Sequence, residues 1–399
     1  MRLALIADVF PPLCTSGAVQ LRDLSQEFYK QGHEITVILP SAELDCSWLL
    51  ENAEGVQVLR LRAPKTKDVN YIRRTIAEFI MPFLMLRGLN KSPLKKERWD
   101  GVVWYSPSIF HGPLVKAIKC ASNCKSYLII RDIFPDWAVD MGLMRRGGLI
   151  NRFFSQVAHY QYSVADIIGV QTPGNQNYFK DWTRVPTRRL EVLQNWLFDS
   201  PVGSCPINLG ETKLAGRKIF VYAGNMGVAQ GVGCFLDLAE SLRYRTDIGF
   251  LFIGRGSDAK KLADAANARS LINVLFLDEI QPGEIPALYA QCMVGLVALD
   301  SRHKSHNIPG KFLTYMQGGL PVLASINFGN DLIDMIQENN VGRVSLDKAE
   351  NSLSGLAIDL INCIQKGDDF RGRCRGLYLK LFTPEKAVKQ IVRALKISH

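Results

Sequence analysis

The stretch from residue 305 to residue 325 brings together residue types that can bind phosphate. Its sequence, SHNIPGKFLTYMQGGLPVLAS, predicts a loop that leads into a helix, with Pro309 in the first turn and Lys311 just inside it. Gly318 and Gly319 are typical of a helix end. Free backbone N–H groups, the positive end of the helix dipole and the lysine ammonium would converge there and favour an anionic ligand. The alternative is an ordinary capped helix with an exposed lysine.

Three further loops are rich in glycine and follow predicted strands. They span residues 8–17, 223–231 and 254–257. Glycine lets backbone N–H groups approach a phosphate closely, and Arg255 would add a positive charge. Neither GxGxxG nor GxxxxGK[ST] occurs in these loops, so a standard dinucleotide or nucleoside triphosphate site is not indicated. A tight turn explains each loop alone, but together they favour a nucleotide ligand in a cleft between two domains.

Apolar strand patterns alternate with helical patterns along the whole chain, which predicts parallel sheets covered on both faces. The length of 399 residues suggests two domains, and the Pro- and Gly-rich segment 200–210 is typical of a linker between them. The predicted strands of the first half lie at 2–7, 35–39, 56–61, 102–105, 126–130 and 167–171. Those of the second half lie at 218–222, 248–253, 273–276, 294–298 and 321–324. The fold class is therefore α/β, with two doubly wound sheets in tandem.

The formal net charge of +10 favours polyanions, anionic lipid surfaces or phosphorylated small molecules. Much of this charge lies between residues 65 and 98, where nine basic residues face three acidic ones. No nucleic-acid-binding motif accompanies it. No apolar run reaches the roughly 20 residues of a membrane span, and the apolar start is too short for a secretory signal. We therefore expect a cytoplasmic protein.

The segment 72–87 within this basic region has amphipathic spacing. Its apolar residues fall on one helical face, and Pro82 would kink the helix or end it early. These apolar residues are Ile76, Phe79, Ile80, Phe83 and Leu84. With Arg73, Arg74, Lys95 and Lys96 at its ends, the segment suits docking at an anionic membrane surface. A core-facing helix with solvated basic ends is the alternative.

Six short segments, taken in chain order, resemble those of glycosyltransferase family 4. The resemblance is strongest to bacterial enzymes that build O-antigen, capsule and colanic-acid sugars, especially the L-fucosamine (N-acetyl-L-fucosamine, FucNAc) transferase subgroup. The matching segments are Phe10-Pro-Pro with Ser16-Gly17, Gly32-His-Glu-Ile-Thr-Val-Ile-Leu39, Arg131-Asp-Ile-Phe-Pro-Asp-Trp137, Asn195-Trp196, Tyr222-Ala-Gly-Asn-Met-Gly227 with Gln230-Gly231, and Ile308-Pro-Gly-Lys311.

This resemblance implies a GT-B fold, with two Rossmann-like domains whose parallel sheets face a cleft. Residues 1–198 would bind the acceptor, residues 199–382 would bind the nucleotide-sugar, and the helix at 383–399 would cross back onto the first domain. It also implies that no metal is required. The UDP-sugar is a substrate, so it is not counted as a cofactor, and no other cofactor is expected. Retention of the anomeric configuration is expected on the same ground.

The resemblance also assigns roles to individual residues. Lys311 would face the donor diphosphate and offset charge on the leaving group. Asp132 would orient or deprotonate the acceptor hydroxyl, with capping of the turn around Pro135 as the alternative. Gly17 would lie close to the donor phosphate. The donor-binding set is completed by Gly224, Asn225, Gly227, Asn307 and, as a replacement for basic residues of many relatives, Arg255.

Two positions depart from the family pattern. Many members carry paired glutamates eight positions apart across the phosphate-binding helix, where this chain has His306 and Thr314. Thr314 offers only one hydroxyl where a carboxylate could accept two hydrogen bonds from the ribose, so Glu279 is a possible substitute. His306 would contact the sugar or lie exposed in its loop, and His111 has the same ambiguity.

The sequence therefore favours a transferase peripheral to the inner face of the cytoplasmic membrane. It would move a 6-deoxy N-acetylamino sugar, N-acetyl-L-fucosamine, from UDP to an undecaprenyl-pyrophosphate-linked acceptor in O-antigen (lipopolysaccharide) or capsule biosynthesis. A nucleotide-sugar 2-epimerase of the same fold and a catalytically inactive, membrane-associated partner protein are the alternatives. A nicotinamide-dependent oxidoreductase would need the dinucleotide fingerprint, which does not occur.

Overall fold

A computed structural model describes residues 1–13, 15–199, 203–227, 230–299, 307–346 and 350–396. The chain divides into two compact units. Unit 1 contains residues 1–196 together with the C-terminal helix from Pro384, and unit 2 contains residues 197–383. The observed boundaries thus fall after residues 196 and 383, whereas the sequence suggested boundaries after 198 and 382.

Unit 1 is built on a sheet of eight strands within the described residues. The strands are β1 (Arg2–Ile6), β2 (Glu34–Ser41), β3 (Trp48–Ala53), β4 (Val56–Arg62), β5 (Gly101–Tyr105), β6 (Lys125–Ile129), β7 (Ile167–Val170) and β8 (Arg189–Val192). Their order is β3-β4-β2-β1-β5-β6-β7-β8, and only β3 runs antiparallel to its neighbour. The helices are α1 (Ser16–Lys30), α2 (Tyr71–Leu89), α3 (Gly112–Ser122), α4 (Asp136–Asp140) and α5 (Leu149–Val164), besides the C-terminal one.

Unit 2 has a fully parallel sheet. Its described strands are β9 (Lys218–Ala223), β10 (Ile248–Ile253), β11 (Val274–Leu277), β12 (Val294–Ala298), β13 (Val322–Ser325) and β14 (Gly342–Ser345), in the order β11-β10-β9-β12-β13-β14. The helices are α6 (Gly233–Ser241), α7 (Ala259–Ala268), α8 (Ile285–Tyr289), α9 (Gly310–Gly318), α10 (Asp331–Glu338), α11 (Glu350–Gln365) and α12 (Phe370–Leu381). The predicted α/β class with two largely parallel sheets is confirmed.

Three strands that the sequence did not predict all lie at sheet edges. β3 and β8 form the two edges of the first sheet, and β14 forms one edge of the second. Residues of β3 and β8 are half-buried or exposed, and polar or charged side chains interrupt all three strands. An edge strand has only one neighbour, so it does not need the continuous apolar run of a central strand.

The C-terminal helix, α13 (Pro384–Lys396), packs in unit 1. Its apolar face, which includes Val388, Ile391 and Leu395, joins the core formed with α1 and the sheet. The opposite side carries basic residues, so the helix has the narrow apolar stripe expected of a helix that covers a sheet.

Helix α2 differs from the expectation in one respect. It continues from Tyr71 to Leu89 with Pro82 inside it, so the proline does not end the helix early. Met81, Met85 and Leu89 are buried against the unit 1 core. Packing of this second face against the core stabilises the helix at Pro82, which lacks the N–H group for a backbone hydrogen bond.

Candidate functional site

The predicted phosphate-binding helix is present as α9. Pro309 occupies the N-cap position in an extended conformation, and the helix begins at Gly310. Its C-cap is Gly319, which has a φ of 69° and donates its backbone N–H to the carbonyls of Met316 and Tyr315. The left-handed conformation favours glycine there, as the predicted helix end required. Because Pro309 caps no N–H group with its side chain, the first turn keeps backbone donors available to a ligand.

Lys311 is half-buried rather than exposed. Its Nζ lies 3.4 Å from the centroid of the Tyr222 ring, at the end of β9. The face of an aromatic ring attracts a cation, so this contact orients the ammonium. Burial nevertheless lowers the pKa of Lys311 from 10.5 to about 7. The side chain also passes beside Gly224, where a Cβ atom would lie 3.7 Å from its Cε.

The loops after β9 and β10 are joined by backbone hydrogen bonds. The N–H of Gly224 donates to the carbonyl of Ile253 at 2.9 Å, and the N–H of Met226 donates to that of Arg255 at 2.8 Å. Gly254 has a φ of 135°, and a Cβ atom there would overlap the Gly224 carbonyl oxygen. Glycine is therefore required for this close approach. It places the two predicted loops side by side, with Lys311 next to the first.

The side chain of Gln230 closes the first glycine-rich loop. Its Oε1 accepts a hydrogen bond from the N–H of Gly227 at 3.1 Å and one from the Asn225 amide at 3.3 Å. These are two of the donors that the sequence assigned to the nucleotide-sugar. The loop is thus held in shape by a neutral amide.

Arg255 and Glu279 contact each other. The Arg255 Nε lies 3.1 Å from Glu279 Oε2, and the two side chains are 80% and 54% exposed. An ion pair this exposed contributes little to stability because water and salt screen it. Both side chains are therefore available to a ligand at small cost, but a ligand that binds one must compete with the other.

Of His306 and Thr314, the two residues at the expected glutamate positions, the structure describes only Thr314. The Thr314 hydroxyl donates to the carbonyl of Gly310 at 3.3 Å, within α9. Asn307 is half-buried, two residues before Pro309. His306 lies outside the described residues. Glu279 and Thr314 are therefore the candidates for ribose recognition among the described residues.

Gly17 and Asp132 belong to unit 1. Gly17 is in the first turn of α1, where a Cβ atom would lie 3.3 Å from Val9 Cγ2. Asp132 is half-buried shortly after β6. The pKa of Tyr105 is raised to about 12, mainly by burial; the Arg131 charge opposes this shift and the Asp132 charge adds to it. Asp132 is therefore close enough to Tyr105 to act on it electrostatically. Both residues lie near the carboxyl end of the sheet, where parallel sheets bind ligands.

Asp8 and His111 form a pair that the sequence did not predict. His111 is fully buried, and its Nε2 lies 2.7 Å from Asp8 Oδ1. Asp8 follows β1 and His111 follows β5, and these strands are neighbours in the sheet. In the sequence, both residues can be seen to follow predicted strands. That these two strands are neighbours in the sheet is known only from the topology. The carboxylate fixes the orientation of the imidazole.

The basic residues assigned to membrane docking lie at the two ends of the α2 region. Arg73 and Arg74 are in its first turn, where Arg74 pairs with Glu78 at 2.9 Å. Lys95 and Lys96 end a short 3-10 helix, and all four are exposed. The exposed residues between them include Ile76, Phe79, Ile80, Phe83 and Leu84. Helix α2 does pack on the core, but with other side chains, and these five apolar residues face away from it.

Helix α5 extends this exposed apolar surface. The rings of Phe79 and Phe153 lie 6.3 Å apart, and Leu149 and Ile150 of α5 are 84% and 65% exposed. Among the helices of the described residues, none combines the length and apolarity that a bilayer span needs. His, Cys, Asp and Glu side chains do not gather in groups of three or more that could hold a metal ion within those same residues.

Comparisons with known proteins find a family match within unit 2. Residues 217–363 match the model of the family described as glycosyl transferases group 1, and this segment includes every unit 2 residue discussed above. WbjE, a probable glycosyltransferase of Pseudomonas aeruginosa, is 22% identical over 317 residues, which are 78% of this chain and 74% of that protein. WcaI, a putative colanic acid biosynthesis glycosyl transferase of Escherichia coli K12, is 24% identical over 294 residues, which are 65% of this chain and 67% of that protein.

A solved structure has the same fold over the full length. The UDP-forming α,α-trehalose-phosphate synthase from Burkholderia xenovorans, in complex with glucose-6-phosphate, superposes with a TM-score of 0.70 at 12% identity and covers 100% of both chains. The chain therefore has the GT-B fold, and the matches together support a glycosyltransferase. The segment that matches the group 1 glycosyl transferase model lies in unit 2.

Proposed function

We propose that the protein transfers a sugar from a UDP-sugar, with the donor diphosphate bound at the start of α9. The observation that carries this proposal is the half-buried Lys311, held against Tyr222 beside the Gly224 loop. A lysine with a pKa of about 7 gains much from an anionic partner, because the partner replaces the hydration that burial removed. The charge that builds on the leaving diphosphate is the partner that such a cation stabilises best.

The remaining donor contacts follow from the same corner of unit 2. The N–H groups of the Gly224–Gly227 loop and the first turn of α9 would hold the diphosphate and sugar, with Asn225 and Asn307 on sugar hydroxyls. Glu279 would accept from the ribose, with Arg255 released toward the phosphates. Retention of configuration and independence from metal ions belong to the proposal. The UDP-forming activity named for the trehalose-phosphate synthase supports UDP as the nucleotide.

The acceptor in this proposal is an undecaprenyl-pyrophosphate-linked sugar at the inner face of the cytoplasmic membrane. Support comes from the exposed apolar side of α2 and α5, which has basic residues at its ends. An apolar surface flanked by cations suits the boundary between acyl chains and anionic headgroups. The name of WcaI, which places that relative in colanic acid biosynthesis, agrees with a role in O-antigen or capsule assembly.

The sugar in this proposal is N-acetyl-L-fucosamine, on the strength of the motif resemblance. The test is a panel of UDP-sugars with a lipid-linked acceptor, followed by NMR of the product linkage and anomeric configuration. We expect transfer from UDP-N-acetyl-L-fucosamine, α-to-α or β-to-β, and equal rates with and without EDTA. An isomerised UDP-sugar without transfer would indicate the epimerase alternative. UDP binding without any turnover across the panel would indicate the inactive partner protein.

A further inference from the structure

A large cavity opens in unit 1 at the carboxyl ends of β2 and β4. Its volume is about 1050 Å³, just above the roughly 300–1,000 Å³ of small-molecule pockets. Side chains of α2 and of the loop after β1 complete its wall, including Leu84 and Asp8. The charged lining has six basic side chains against three acidic ones. The basic ones are Arg60, Arg62, Lys65, Lys67, Arg87 and Lys91.

Two of these cations are held in place by the protein. Arg60 pairs with Glu51 at 2.6 Å and donates to the carbonyl of Pro11 at 2.9 Å. Arg62 donates to the carbonyl of Asp45 at 3.3 Å. Guanidinium groups fixed in this way lose little conformational entropy when they bind a phosphate.

The other four cations have no such partner within the described ranges. Lys65, Lys67, Arg87 and Lys91 are exposed, and they make no ion pair or side-chain hydrogen bond with any described residue. Like charges collected around one concave surface repel each other unless an anion lies between them. Their arrangement thus favours a ligand with more than one negative charge.

The cavity is continuous with the apolar surface of α2. Leu84 lines the cavity and is also one of the exposed apolar residues, next to Phe83 and one turn from Ile80. A ligand with a multiply charged head and a long hydrocarbon tail would contact both features at once. Neither a free phosphate nor a soluble nucleotide uses the apolar surface.

We propose that this cavity binds the diphosphate of the polyprenyl-linked acceptor, with the hydrocarbon chain leaving past Leu84 along α2. The inference rests on the proposed function and locates its acceptor. Asp8, which His111 orients, lies in the same wall and would accept a hydrogen bond from the first sugar of the acceptor. An anionic phospholipid headgroup shares this chemistry with one phosphate instead of two.

The test measures binding of farnesyl diphosphate to the full chain in solution by calorimetry. Two variants remove cavity cations, Arg87→Ala/Lys91→Ala and Arg62→Ala/Lys65→Ala. A matched control, Lys116→Ala/Lys180→Ala, removes two exposed positive charges of unit 1 outside the cavity lining. We expect each cavity variant to bind farnesyl diphosphate roughly tenfold or more weakly, and the control to bind as the wild type does. Farnesyl monophosphate should bind less tightly than the diphosphate.

The outcomes separate this proposal from the proposed function. UDP binding, measured in parallel, should stay unchanged in all variants because its site lies in unit 2. If both cavity variants keep wild-type affinity for farnesyl diphosphate while remaining folded by circular dichroism, the cavity assignment is wrong whatever UDP does. If wild type binds phosphatidylglycerol nanodiscs through these cations and ignores farnesyl diphosphate, the cavity holds a headgroup and the proposal is overturned. If the wild type does not bind UDP, the proposed function is contradicted instead.

Discussion

The ammonium of Lys311 lies 3.4 Å from the centre of the Tyr222 ring, so the first turn of α9 is tied to the end of β9. The ring supplies attraction for the cation but no negative charge to neutralise it. Burial has therefore lowered the pKa of Lys311 to about 7, which is a cost to the protein without its ligand. In the proposed function, the donor diphosphate supplies the negative charge that this site lacks.

Replacing Lys311 with Met separates binding from folding. The thioether fills a similar volume without a charge, so Lys311→Met should leave the melting temperature unchanged or raise it. Transfer should fall by roughly 10²–10³, because the stabilisation of the leaving diphosphate is lost. Steady-state kinetics and thermal melts of the same preparations check both halves. Wild-type turnover in Lys311→Met would refute the assigned role.

The pH dependence of donor binding follows from the same lysine. A UDP-sugar binds the protonated form, and its diphosphate has no group that titrates near neutral pH. Above the free-state pKa of about 7, affinity should fall by about tenfold per pH unit until the raised pKa of the complex is reached. Calorimetry between pH 6 and about pH 9 measures this slope, and Lys311→Met should abolish it. A flat profile in the wild type would mean that Lys311 does not meet the phosphates.

The stability of the free protein should show the opposite trend. The folded-state pKa of Lys311 lies below its ordinary value of 10.5, so between pH 7 and that value the unfolded chain binds the extra proton. Lys311 therefore makes the free energy of unfolding rise with pH across this window. Urea titrations of wild type and Lys311→Met, compared pH by pH, isolate the contribution. We expect the difference in the free energy of unfolding between Lys311→Met and wild type to shrink as the pH rises. A lysine held in a salt bridge would show the opposite pH dependence.

Two substitutions at Tyr222 separate its ring from its hydroxyl. The hydroxyl donates to the carbonyl of Asn225 at 2.7 Å and so holds the first glycine-rich loop. Tyr222→Phe should cost about 0.5–1.5 kcal/mol of stability and raise KM for the donor, with the Lys311 pH profile intact. Tyr222→Leu should also shift that profile, because the aromatic face is gone. Identical profiles for both variants would show that the ring contact does not matter.

Charge reversal at the ends of the α2 region tests membrane docking. Changing Arg73, Arg74, Lys95 and Lys96 to Glu should abolish flotation with phosphatidylglycerol vesicles, since each basic residue near an anionic surface contributes about 1 kcal/mol. The matched control changes four exposed lysines elsewhere, Lys116, Lys180, Lys213 and Lys366, to Glu. Equal flotation of the two variants would rule out a specific docking face.

The buried pair in unit 1 predicts a stability effect. Asp8→Ala leaves Nε2 of the fully buried His111 without its acceptor, which should cost about 1–3 kcal/mol in the free energy of unfolding. Asp8→Asn keeps an oxygen for His111 and should cost less. Urea denaturation of both variants measures the difference. Equal, negligible losses would show that the pair is not a structural contact of the folded state.

Local patterns in the sequence were sufficient for the central strands and for α9. Apolar runs such as residues 3–6 of β1 and the whole of β10 favour strands buried between neighbours. The backbone of Pro309 and Gly319 allows a helix to start and stop there. The motif order, read as a resemblance, anticipated the GT-B fold. Edge strands such as β3 were missed because one exposed side relaxes the demand for apolar residues.

Tertiary structure decided what long-range contacts create. Helical spacing in α2 is the same whether Phe79 and Phe83 face the core or the surface, and only the packing of Met81 and Met85 resolves it. Asp8 and His111, 103 positions apart in sequence, meet because their strands become neighbours. Likewise, the sequence alone determined that Lys311 follows a helix start. Its burial, its lowered pKa and its contact with Tyr222 exist only once α9 packs beside β9, because desolvation depends on what surrounds a side chain in space.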